Sequence, residues 1–392
     1  MITEELKNLI ITEVERILPE LISIKKFLYE NPEVGGEEEK SSARLIEMAK
    51  AHGLTIEAPI LNIPYSFRAY YDSGRPGPVI GLTAEYDALP GIGHGCGHNI
   101  IATAPLGAAI ALAAVTERIG GKVILFGTPG EECLVTKAQM AREGVFDEVD
   151  VAMTIHPNPT NCSSGTARAV EAWQVDFYGK NAHAGAEPER GINALDAAVH
   201  FYSLIGFEKQ YLPGTNIYGI FKDGGEKSSI IPDHASLRYL VRAPKVSDIR
   251  NIRALFERCA EAACKAVGTT YTIQDYERGN MDLVTNRALS NVFDRHYEEL
   301  TGEKMEAAAC GASTDMGDVS HVVPAIHPWI GLNCPDYQLH TAEFREQTMT
   351  SVGDDAVKNG AVALAMCAAE VLSDSELLKC IKLEFEEAKN NF

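Results

Sequence analysis

Residues 85–99 read Glu85-Tyr86-Asp87-Ala88-Leu89-Pro90-Gly91-Ile92-Gly93-His94-Gly95-Cys96-Gly97-His98-Asn99. An apolar, strand-like run, Pro78-Val79-Ile80-Gly81-Leu82, leads in, and an Ala-rich helical pattern from about Ile101 to Val115 leads out. The stretch therefore sits where a strand ends and a helix begins, the usual place for ligands in an open α/β sheet. Its glycines let the backbone take positive φ and let other groups approach closely. A thiolate and an imidazole two residues apart on such a loop can face one cavity, which suits a transition-metal ligand pair. A turn with incidental polar residues would look similar, so the rest of the chain has to decide.

At 392 residues the chain is long enough for two domains. A net charge of −20 disfavours nucleic acid or an anionic membrane surface as a partner and suits a cationic or zwitterionic small substrate. The N-terminal residues are acidic and amphipathic, unlike a signal peptide. No run of about eighteen apolar residues suggests a membrane span. Nine scattered cysteines then read as free thiols, and a cytoplasmic location is expected.

Helical spacing covers Thr3–Tyr29 and Glu37–Ala51, and strands are expected at Ser66–Tyr71 and Val79–Thr83. Lys122–Phe126 and Val149–Ile155 read as buried strands. Glu131 and Glu132 follow the first of these, and His156 follows the second. Parallel strands end on one edge, so these residues converge with Cys96 and His98. From about Thr166 the order becomes strand, helix, strand, strand, helix, strand, the ferredoxin-like pattern, with a long amphipathic helix at Val246–Val267 and the last strand at Thr270–Gln274. Helical patterns return at Asn286–Leu300 and close the chain at Gly353–Leu372, with a loop at Cys310–Asp315 and an exposed-looking His340 between them. The fold class is α/β: a catalytic domain with a central mixed or parallel sheet between helices, plus an inserted α+β lid and dimerisation domain. The boundaries are residues 1–167 with 279–392 for the first and 168–278 for the second.

Cys96, His98, Glu132, His156 and His340 form a ligand set for two metal ions. Thiolate and imidazole favour zinc, with manganese, cobalt or nickel able to substitute, and argue against magnesium or calcium. Of the adjacent Glu131 and Glu132, one can bind metal while the other serves as general base. His183, in a loop of small residues, is either a surface histidine or an electrophile that stabilises an oxyanion.

The strings Glu85–Pro90, Gly93–Asn99, Gly127–Glu132, Ile155–Pro157, the His183 loop through Asn193-Ala194, Ile230–Pro232, Ser313–Asp315 and His340-Thr341 occur in one order. In that order the chain resembles the aminoacylase/carboxypeptidase/dipeptidase family of dinuclear zinc metallopeptidases. The resemblance is strongest to its amidohydrolase branch of auxin-conjugate hydrolases, aminobenzoyl-glutamate hydrolase and β-alanyl-lysine-type dipeptidases. It implies the zinc-peptidase-like fold and matches Cys96, His98, Glu132, His156 and His340 to the metal ligands and Glu131 to the catalytic base. His183 matches a lid histidine that often reaches the partner's active site across a homodimer. Arg242 resembles an arginine that holds a substrate carboxylate, and Asp87 one that orients the metal cluster. Two positions depart from the pattern: Cys133-Leu134-Val135-Thr136 replaces a glycine-rich run, and Ser229 stands where asparagine is common. The expected activity is hydrolysis of the amide bond of a small dipeptide or an N-acyl or aminobenzoyl amino acid. The competing readings are a binding protein that has lost catalysis and a cysteine hydrolase using Cys96 and His98.

Overall fold

The computed structural model describes residues 1–307 and 313–390, so Cys310, Gly311 and Ala312 of the expected loop lie outside the described residues. It divides into two units. The first comprises Met1–Thr166 and the segment from Leu283 onward; the second is Ala167–Asp282.

Apolar residues at helical spacing make α1 (Glu4–Glu30), whose buried stripe runs Leu6, Ile10, Val14, Ile17, Leu21, Ile24, Leu28. The Thr3 hydroxyl caps it by accepting from the Leu6 N–H. There follow α2 (Glu39–Ala51), β1 (Thr55–Glu57), β2 (Phe67–Asp72), β3 (Val79–Ala84), α3 (His98–Ile119), β4 (Lys122–Gly127), α4 (Thr136–Arg142), β5 (Val151–Met153) and β6 (His156–Asn158). The second unit holds β7 (Ala169–Tyr178), α5 (Ala194–Glu208), β8 (Asn216–Asp223), β9 (His234–Ala243), α6 (Val246–Val267) and β10 (Thr270–Asn280). The first unit resumes with α7 (Arg287–Thr301), α8 (Met316–Ser320), β11 (Ala325–Ile326), β12 (Trp329–Gly331), α9 (Ala342–Gln347), α10 (Ser351–Ser373) and α11 (Ser375–Lys389).

The main sheet of the first unit is mixed, in the order β1-β2-β4-β3-β5-β11. Strands β4, β3, β5 and β11 are parallel, while β2 runs antiparallel to β4 and β1 antiparallel to β2. Helices α3 and α10 pack on each other, and α1 packs on both. Buried on nearly every side, α3 has no polar face: its mean hydropathy reaches 1.7, enough by length and composition to cross a membrane, yet 94 % of that window is buried in protein. Such a helix is a core element. Its first residue is the candidate ligand His98, so core packing holds the start of the metal loop.

The second unit is a four-stranded antiparallel sheet, β10-β7-β9-β8, with α5 and α6 against it. Its core of Trp173, Phe177, Phe201, Tyr239 and Phe256 is separate from the core around α3. This is the ferredoxin-like order. Strand β10 continues six residues past the expected end at Gln274, through two register shifts. Charged residues there (Asp275, Glu277, Arg278) erase the apolar alternation that would have marked it. Gly353–Leu372 is not the closing helix, because α11 follows it and buries Ile381 and Phe385.

Gly97 is the tightest backbone position of the loop. Its φ is +80°, and an added Cβ would lie 2.3 Å from Pro157 Cγ. The close approach brings the strand that carries His156 against the loop that carries Cys96. Gly97→Ala should therefore cost about 2 kcal/mol or more, read as a lowered urea midpoint; a wild-type midpoint would show that the two segments can separate freely.

Candidate metal centre

Strands β3, β4 and β5 are parallel, so their C-terminal ends share one edge of the sheet. Glu85 and Asp87 leave that edge after β3, Glu131 and Glu132 after β4, and His156 just beyond β5. His327 follows β11. Cys96 and His98 lie on the glycine loop at the start of α3. His340 arrives between β12 and α9 with φ +65°, and its N–H donates to the Gly95 carbonyl at 2.9 Å. A non-glycine residue held in this region is strained, and that strain fixes the imidazole's direction.

The imidazoles are set up as ligands. His98 Nδ1 is 2.8 Å from Asp87 Oδ1 and donates to it. His156 Nδ1 donates to the Pro157 carbonyl at 2.7 Å. Each ring therefore turns its Nε2 inward, the arrangement that orients metal-binding histidines. His156 Nε2 is 3.4 Å from Cys96 Sγ, and His340 Nε2 is 3.3 Å from the same sulfur. His340 Nε2 is also 3.3 Å from Glu132 Oε1, and His98 Nε2 lies 3.9 Å from that oxygen. Neither His98 Nε2 nor Glu132 Oε1 has a hydrogen-bond partner, although both are buried. Donor atoms lie within 4.8 Å of one another in three groups: Cys96, His98 and His156; Cys96, Glu132 and His340; Glu85, His98 and Glu131. Buried polar atoms left without a partner are costly, and a cation bound between them would remove that cost. The donor set thus fits a thiophilic divalent cation.

Asp87 touches two ligands at once, because its Oδ2 accepts the Glu132 N–H at 3.0 Å. Burial works against a charge on His98, but the Asp87 carboxylate outweighs it and leaves the ring strongly basic. Burial and the nearby His327 and His98 push His156 down to about 3, so it stays neutral and able to ligate. Burial pushes the Cys96 thiol far up, so a cation is what would hold it as thiolate. That sulfur faces two imidazole nitrogens rather than a single general base, which disfavours the cysteine-hydrolase reading.

Glu131 is pushed well above the carboxylate range by burial and by the charges of Glu85 and Asp315. These neighbours, with Lys137, were not singled out as site residues in the sequence. Lys137 Nζ lies 3.0 Å from Glu85 Oε1 and 2.5 Å from Asp315 Oδ1, with all three side chains buried. One ammonium serves two carboxylates. Against the cost of burial, Lys137 and the imidazoles hold Glu85 down to about 2, whereas burial raises Asp315 to about 7. A lone lysine in α4 carries no sequence signal for such a role. His94 is buried outside the three donor groups. Cys133 packs against Gly35, and burial raises its thiol to about 11.

His183 and Arg242 belong to the second unit. His183 is exposed, and its Nδ1 accepts from the N–H groups of Gly185 and Ala186 at 3.2 and 3.1 Å. The ring's proton is thereby assigned to Nε2, at the exposed tip. Arg242 lies in β9, opposite Val170 and Asn216 on the neighbouring strands.

Residues 166–267 match the peptidase dimerisation domain family. Over 400 residues the chain is 32 % identical to an Xaa-Arg dipeptidase of Mus musculus, covering 98 % of this chain and 93 % of the relative. The chain belongs to the M20 family of peptidases. This M20 chain is also 29 % identical to a p-aminobenzoyl-glutamate hydrolase polypeptide of Escherichia coli, over 92 % of the chain and 90 % of the relative. Its fold superposes on a dinuclear metal-binding M20 peptidase of Bacillus subtilis with a TM-score of 0.72 at 18 % identity, covering 92 % and 99 % of the two chains. The protein is accordingly a hydrolase of amide bonds.

Asp87→Asn should leave the M20 fold intact but weaken metal binding about 10- to 100-fold, because His98 and Glu132 lose their shared anchor. Competition with a chromogenic chelator measures this; unchanged affinity would remove Asp87 from the centre.

Proposed function

We propose that this M20 member is a two-metal dipeptidase acting on small dipeptides. Those ending in a basic residue are the first candidates, and N-acyl or aminobenzoyl amino acids belong to the same class. The observation that carries the two-ion reading is that one sulfur, Cys96, belongs to two donor groups, one with His98 and His156 and one with Glu132 and His340. Zinc suits the thiolate and imidazole donors best. When bound, the ions would lower the pKa of water and polarise the scissile carbonyl. The name of the murine relative supports a basic C-terminal residue, and the net charge of −20 is compatible with a cationic substrate.

The chain's own residues supply the remaining steps. Glu131 takes the proton of the attacking water and returns it to the leaving amine. By the resemblance, His183 would serve the partner subunit's centre and donate through Nε2 to the developing oxyanion, and the two backbone donors on Nδ1 favour the tautomer that can do so. Arg242 would hold a substrate carboxylate through its guanidinium fork. The alternative of a non-catalytic binding protein is disfavoured because Glu131 and every proposed ligand are present.

We infer a homodimer formed through the second unit. Strand β8 lies at the edge of its sheet and exposes Tyr218 and Ile220 to 67 and 64 %. An apolar strand edge is a template for pairing. Phe207 and Tyr211, also exposed, extend the apolar surface. The free cysteines among the described residues are compatible with a reducing cytoplasm.

Glu131→Gln should retain its metal and lose kcat by about 10²- to 10⁴-fold on Xaa-Arg and Xaa-Lys dipeptides. Wild-type turnover in that variant would dismiss Glu131 as the base, and wild-type enzyme inert toward dipeptides but active on aminobenzoyl-glutamate would move the substrate. Ile220→Lys should shift the protein from dimer to monomer in light scattering. A dimer that survives this change, or a wild-type monomer, would refute pairing through β8.

A further inference from the structure

Glu85 is only 1 % exposed, lies beside the centre, and is not among the five ligands proposed above. Its two carboxylate oxygens have different surroundings. Oε1 lies 3.0 Å from Lys137 Nζ. Lys137 is held in turn by Asp315: Nζ sits 2.5 Å from Oδ1, and the Lys137 N–H donates to Oδ2 at 3.0 Å. The arrangement aims the other oxygen, Oε2, inward to 3.6 Å from His98 Nε2.

That distance is too long for a hydrogen bond, and His98 carries its proton on Nδ1, committed to Asp87. His98 Nε2 and Glu85 Oε2 therefore face each other in a buried site with no hydrogen bond between them. The spacing matches that of the proposed ligand pairs. Cys96 Sγ and His156 Nε2 are 3.4 Å apart, and His340 Nε2 and Glu132 Oε1 are 3.3 Å apart. Metal–donor bonds of about 2.0–2.3 Å in a tetrahedral site put donors roughly 3.3–3.7 Å from one another. His98 Nε2 has no hydrogen-bond partner, and Glu85 shares a donor group with His98 and Glu131.

We propose that Glu85 Oε2 is a further ligand to the ion that His98 holds, and that Lys137 and Asp315 are the positioning residues that aim it. The assignment gives the buried lysine a purpose: it takes one carboxylate oxygen and leaves the other free to ligate, as outer-shell hydrogen bonds to metal-bound carboxylates do. It also separates the two acidic neighbours, with Glu85 fixed as an anion on the ion and Glu131 left to move a proton.

The inference rests on the two-ion reading, and titration of the apoprotein with Co²⁺, followed by visible absorption and elemental analysis, distinguishes the two. Wild-type protein should take up two equivalents. Glu85→Gln should keep one equivalent at wild-type affinity and bind the other about 100-fold more weakly or worse, with a changed visible band. Two equivalents at unchanged affinity with an unchanged band would overturn the proposal alone; fewer than two in the wild type would overturn the two-ion reading and this proposal with it. Because Glu85→Gln strands Lys137 in the interior, the pair Glu85→Gln with Lys137→Met is tested alongside. The same weakening in the pair supports ligation. Recovery of wild-type affinity in the pair would reduce Glu85 to a counter-ion of Lys137 and overturn the proposal.

Discussion

A single buried sulfur imposes the central constraint on this molecule. Cys96 stands within 3.4 Å of His156 Nε2 and 3.3 Å of His340 Nε2, in an interior that would otherwise keep it a neutral thiol. A divalent cation would displace the thiol proton and join these donors at one point. The surrounding structure serves that convergence. The parallel strands deliver Glu85, Glu131 and His156 to one edge, α3 presents His98 from the core, and Gly97 lets the Pro157 segment close against the loop.

Around the donors runs a second tier of fixed partners. Asp87 binds a ring nitrogen of His98 and the backbone of Glu132, and the Pro157 carbonyl sets His156. Lys137 and Asp315 set Glu85. Each partner settles a tautomer or a rotamer before any ligand arrives, so little reorganisation is left for binding. Removing one member of the lysine cluster would leave an uncompensated charge in the interior, which is why these residues cannot be exchanged singly without cost.

Much of this was legible in the sequence because the relevant signals are local. Strand-then-loop punctuation marked Cys96, His98, Glu131, Glu132 and His156, and helical spacing marked α1 and α6 almost to the residue. What stayed hidden depends on long-range packing. Lys137 looks like any helical lysine until Asp315, 178 residues away, is found against its backbone. Strand β10 outran its reading because its outer half is charged, and α11 was missed after a helix that looked terminal. The loop around His183 left a surface histidine and an oxyanion-stabilising one equally open, and the role of Arg242 was taken from resemblance alone.

The place where the second unit interrupts the first has a consequence for biogenesis. Residues 167–282 separate His156 from His340, so a ribosome has delivered four of the five proposed ligands before it begins the insert, and the fifth only after finishing it. During that interval the centre would lack His340, and also the β12 partner of the strand that carries His156 and the α10 helix that packs on α3. The centre would then be completed only after the insert is made, when β12, α10 and the contact of His340 with Gly95 come into place.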